Sequence, residues 1–93
     1  MTTIVLIPTL GHCIETTAKM EFNRLTGIYL DLGKEDADIE AKLELLRDFL
    51  ETADFRSLRQ ESSFYLIVGE TVKFIITDKD DTLTFRMEVI AAA

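Results

Sequence analysis

His12 and Cys13 stand next to each other, and they are the only histidine and the only cysteine in the 93-residue chain. A thiol activated by an imidazole base is the chemistry that such a pair suggests. It requires contact between the two groups, a third group to orient the base, and donors for a developing oxyanion; adjacency in sequence supplies none of these. On a strand the two side chains would point to opposite faces. The expectation is therefore a small buried thiol beside a surface histidine, with no catalytic residue assigned.

One cysteine cannot close an intramolecular disulfide, and one Cys with one His cannot by themselves complete a zinc site. The run Asp78-Lys79-Asp80-Asp81-Thr82 gathers the oxygens that calcium prefers. However, Leu83 stands where an EF-hand loop requires Gly, and no Glu follows at the closing position. The run reads as a solvated hairpin turn. Glycine-rich phosphate loops, HExxH and GxSxG are all lacking, so neither a metal nor a cofactor is expected.

Charge is the stronger signal. Seventeen acids against ten bases give a net charge of −7. Residues 35–54 contain Glu35, Asp36, Asp38, Glu40, Glu44, Asp48, Glu51 and Asp54 against Lys42 and Arg47; eight negative and two positive charges sum to −6, nearly all of the total. Asp36, Glu40, Glu44 and Asp48 succeed one another at i,i+4, where like charges on a helix repel by a few tenths of a kcal/mol per pair. With Glu51 they span about a third of a helix circumference and form one outward field. These five residues are the expected partner-binding site, and a Lys- or Arg-rich protein surface is the expected partner. The same charge disfavours the phosphate contacts that dominate nucleic-acid affinity, so no direct nucleic-acid binding is expected.

The element that must carry those acids is the clearest in the chain. Ile39, Leu43, Leu46 and Leu50 recur at helical spacing, widened by Leu45, Phe49 and Ala53, and predict a helix over about 36–53 with Asp36 as N-cap. Elsewhere the pattern favours strands. Residues 2–7 are apolar on both faces and predict a central or covered strand, followed by a turn at Pro8-Thr9-Leu10-Gly11. Over 14–23, Ile14, Thr16, Ala18, Met20 and Phe22 alternate with Glu15, Thr17, Lys19, Glu21 and Asn23, which predicts a half-buried strand. The rival is a helix with Ile14, Ala18, Phe22 and Leu25 on one face and Gly27 at its C-terminal cap; it leaves Met20 and Cys13 off that face. Residues 28–32 read as another strand ending at Gly33, and 54–60 as a short extra helical turn. Segments 64–68, 72–76 and 83–90 read as a meander with turns at Gly69-Glu70 and at 78–81.

These readings combine into one α+β domain over 1–93. It is a mainly antiparallel sheet of about five to six strands with one long amphipathic helix packed on one face. If 12–26 is helical, the alternative is a β-α-β-α-β-β-β two-layer sandwich. No apolar run is long enough to cross a bilayer, so no membrane contact is expected, and the single cysteine suits the cytoplasm. The leading functional expectation is a small, acidic, non-enzymatic interaction or regulatory module that binds a basic protein partner through the helix. A homodimer formed through the edge of the last strand goes with it. Two alternatives are a small enzyme or ligand-binding subunit using the His12-Cys13 loop, and an acidic inhibitor that mimics nucleic acid.

Overall fold

Val72, Phe74 and Ile76 are completely buried, while Lys73, Ile75 and Thr77 between them are only partly covered. That alternation marks the middle strand of a one-sided sheet. The computed structural model describes residues 2–9, 11–80 and 82–90. In chain order it contains β1 (Thr2–Leu6), α1 (Ile14–Asp31), α2 (Ala37–Thr52), α3 (Phe55–Ile67), β2 (Thr71–Lys79) and β3 (Thr82–Ile90). The sheet order is β1-β2-β3 and both pairs are antiparallel, with Leu6 opposite Phe74 and Phe74 opposite Met87. The three helices cover one sheet face, where Ile4 and Leu6 of β1 join Ile14, Ala18, Leu25, Leu45, Leu46, Phe49 and Leu58 in a single apolar cluster. The opposite face is open.

The expected sheet of about five to six strands with one long helix is thus incorrect: the described residues form three helices and a three-stranded antiparallel sheet, a small α+β fold. The alternative sandwich fails too, because it kept strands at 28–32 and 64–68, which are both the ends of helices. Along α1 the buried residues are Ile14, Ala18 and Leu25, at helical spacing, and Met20 is exposed. The apparent alternation came from outward-facing Thr16 and Met20. Two β-branched residues are accommodated by bonding back to the helix: the Thr17 hydroxyl donates to the Cys13 carbonyl at 2.9 Å, and that of Thr26 to Phe22 at 2.8 Å.

Both misassigned apolar runs end on glycines that finish helices. The Gly33 N–H donates to Leu30 and the Lys34 N–H to Tyr29; likewise Gly69 donates to Leu66 and Glu70 to Tyr65. This paired pattern, with φ of +70° at Gly33 and +87° at Gly69, is a Schellman cap at each helix end. Gly69-Glu70 is therefore a cap and not a hairpin. The hairpin lies between β2 and β3, where Asp80 takes φ +53°. Nor is β1 central: it is an edge strand paired with β2, and Val5 faces outward, half exposed. Among the described residues, no helix is long and apolar enough to cross a membrane.

The helix expected over 36–53 is α2, and Asp36 caps it by accepting the Ile39 N–H at 3.0 Å. Its fully buried stripe is Leu45, Leu46 and Phe49. Ile39, Leu43 and Leu50 form a half-buried flank. The helix rolls this way because it packs on the sheet on one side and on α1 on the other, so its apolar arc is wider than the four-residue pattern implied.

Candidate functional site

With Leu45, Leu46 and Phe49 pointing inward, the 3.6-residue period turns Glu40, Glu44, Asp48 and Glu51 outward together, and all four are exposed. Asp36 differs: its carboxylate is engaged in capping the helix and it is partly buried. On the same helix Asp38 holds Lys42 at 3.1 Å. Among the described residues Glu40, Glu44, Asp48 and Glu51 have no such cation, and Arg47 lies exposed without an ion pair of its own.

Tyr29 borders this face. It sits near the end of α1, and its phenol donates to the Glu40 carboxylate at 3.4 Å. Desolvation, then the Glu40 charge and this hydrogen bond, push the Tyr29 hydroxyl above its usual pKa. Reading 28–32 as a strand hid Tyr29 from the site. A helical reading of 14–31 would have placed it beside α2.

The His12-Cys13 loop is built differently from a catalytic pair. Thr9 and His12 exchange backbone hydrogen bonds of 2.9 and 3.2 Å across a tight turn; Leu10 of that turn lies outside the described residues. His12 is exposed and lines a shallow groove of about 420 Å³ with Ile7, Met20 and the Glu21–Arg24 ion pair. Cys13 is half-buried at the N-cap of α1, with its Sγ 3.5 Å from the Thr16 hydroxyl. That hydrogen bond, the Thr16 backbone N–H, and more weakly the Glu15 N–H and the Arg59 charge hold the thiol below its ordinary pKa, against the opposing effect of burial. Arg59 also reaches Glu15 at 3.9 Å and so links α3 to the first turn of α1. Among the described residues no hydrogen bond joins the His12 imidazole to the Cys13 thiol.

In the acidic run 78–81, Asp81 lies outside the described residues. No group of three or more His, Cys, Asp or Glu able to hold a metal occurs among the described ones. The open sheet face carries an unforeseen depression of about 800 Å³, floored by Thr3, Ile75, Thr77 and Thr84 and edged by Lys79 and Arg86. Alternating strand residues could have revealed it, but only once β1 had been paired with β2.

A family model matches residues 1–89 of the chain. A protein of Archaeoglobus fulgidus, described as uncharacterized, is 41% identical to it over 58 residues, which cover 60% of this chain and 68% of that protein. No solved structure matches the chain.

Proposed function

We propose that this chain, which belongs to the family whose model it matches over residues 1–89, is a non-enzymatic interaction or regulatory module that meets a basic protein partner through the outer face of α2. The observation that carries this reading is the exposed row Glu40, Glu44, Asp48 and Glu51, crowded at one-turn spacing with no cation on any of them among the described residues. A helix serving stability alone gains from mixed signs at i,i+4, as Asp38 and Lys42 do. A row of one sign loses a few tenths of a kcal/mol per pair and in exchange presents a concentrated field to a Lys- or Arg-rich surface. The lone cysteine suits a reducing cytoplasm as its place of work. A catalytic reading of the His12-Cys13 loop is less well supported, because the imidazole lines a groove to which the thiol does not contribute.

Glu44→Lys tests the proposal directly, since Glu44 has an acid one turn away on each side. The variant melts at a higher temperature than the wild type, and it associates more slowly with a partner recovered by pull-down. Wild-type binding weakens as salt rises. Binding that ignores both the charge reversal and the salt concentration overturns the proposal.

A further inference from the structure

The helical layer covers β3 only in part: Phe49 of α2 reaches Phe85, and Leu83 and Met87 pack against the core. Ile4, Leu6, Val72, Phe74 and Ile76 are at most 7% exposed, yet Phe85 and Val89, which lie opposite Ile76 and Val72 on the same sheet face, are each 42% exposed. Beside this gap α3 leaves Phe64 in solvent, and Phe64 and Tyr65 border a groove of about 450 Å³ with Met87 of β3. The outer edge of β3, nine residues long, pairs with no strand among the described residues. It contains no proline, and Arg86 and Glu88 are its only charges. Such an edge is a template for another strand.

We propose that a second copy of this chain occupies it, with β3 pairing antiparallel to its own copy about a twofold axis at Met87. The residue pattern selects both the occupant and the register. Centred on Met87, the pairing sets Arg86 opposite Glu88 of the second copy and Phe85 opposite Val89 of the second copy, and the twofold axis repeats each pair. The charged pairs fall on the open sheet face and the apolar pairs on the helix-facing side. Within one chain Glu88 already holds Lys73 at 3.3 Å and Arg86 at 3.2 Å, so the pairing extends this charge network to the second copy's Arg86 and Glu88. Centring on Arg86 or on Glu88 would set like charges against each other, and centring on Phe85 would leave both charges opposite threonines.

Area points the same way. A stable homodimer hides about 1,200–2,000 Å² in total, more than two strand edges alone provide. The exposed Phe64, which shares a groove with Met87, adds apolar surface beside the strand. This assembly leaves the acidic face of α2 outward, so it stands or falls separately from the partner-binding proposal.

Light scattering on the eluting wild-type protein at tens of micromolar should give twice the 10.6 kDa chain mass. Arg86→Glu places only acids at positions 86 and 88, and Glu88→Arg places only bases there, so each variant alone should run as a monomer. Mixed in equal amounts, the two should recover the dimer mass, because each then meets its opposite. Glu44→Lys should leave the dimer intact. In the wild type, the amides on the outer edge of β3 should be protected from hydrogen exchange and lose that protection on dilution, a readout that stands even where a charge variant fails to fold. A monomer mass for the wild type, dimers in either single variant, or folded variants that remain monomeric when mixed each overturn the proposal. So does a β3 edge protected only when a foreign protein is added, which assigns the edge to another chain's strand.

Discussion

The rings of Phe49 on α2 and Phe85 on β3 meet at 70° with their centroids 5.6 Å apart. Phe55, at the start of α3, meets the same Phe49 ring at 82° and 5.4 Å. One fully buried side chain therefore joins a helix, its successor and the edge strand through edge-on aromatic contacts. Phe49→Ala should cost about 3–5 kcal/mol, a large part of the 5–15 kcal/mol typical of a folded domain. Phe85→Ala should cost clearly less, because nearly half of that ring is already in water. Denaturant midpoints of the two variants make the comparison, and equal losses would mean that burial does not set the cost here.

How far the sequence could be read depended on how much each segment relied on distant neighbours. Helix α2 was legible because its period, its Asp36 cap and its acidic outer side all agree locally. Strands β2 and β3 were legible from the alternation of Val72, Phe74 and Ile76 and of Leu83, Phe85, Met87 and Val89. The turn at 54–60 was legible as the helical start of α3, but α1 and the second half of α3 were not, because the residues that decide between helix and strand there are buried by other elements. Ala18 is small and weakly informative until α1 is packed, and the run Phe64 to Val68 is apolar enough for either period. The buried Ser62 would have argued against a helix core, except that its hydroxyl bonds back to the Leu58 carbonyl at 2.9 Å. The acidic face was legible in four of its five residues as an exposed row. Asp36 belongs to the helix start, and Tyr29 joined the site only through the packing of α1 on α2.

Cys13 should be more reactive than an ordinary thiol. The Thr16 hydroxyl, helped by the first free N–H groups of α1, stabilises the thiolate and lowers the pKa from 9.0. Alkylation rate plotted against pH should therefore have its inflection below that of the unfolded chain, and Thr16→Val should move it upward. The sign for stability follows: the folded form gives up the proton more readily, so this contribution is complete above about pH 9, the unfolded value, and disappears as pH falls through the folded one. An inflection unchanged by Thr16→Val would show that the hydroxyl is not the cause.

Asp54 sets a similar dependence in acid. Its carboxylate accepts the Ser57 hydroxyl at 2.9 Å and the Ser57 N–H at 3.3 Å, capping α3, and these bonds hold its pKa below the usual 3.8. Folding is thus favoured by the ionised form. The contribution is present above the unfolded value and is lost as pH falls through the folded value. The wild type should melt above Asp54→Ala at neutral pH, and the gap should close as pH falls below about 3.8. A gap independent of pH would assign the effect to helix propensity and not to the carboxylate.

Two glycines should respond to alanine with opposite signs. Gly27 lies in the interior of α1, outside the positive-φ region, and a Cβ built there meets nothing within 4 Å. Gly27→Ala removes backbone freedom from the unfolded chain and adds a good helix former, so it should stabilise by about 0.5–1 kcal/mol. At Gly69 there is equally open space, so crowding is not the issue. Its φ of +87° belongs to the cap that ends α3, and an L side chain in the left-handed region costs about 1–2 kcal/mol, which Gly69→Ala should lose. Denaturant unfolding of both variants, with unchanged slopes, checks the pair. Had residues 14–23 been a strand with Gly27 in the loop after it, Gly27→Ala would bring no helical gain; destabilisation at that position would count against α1 itself, because nothing else in its surroundings opposes a methyl group.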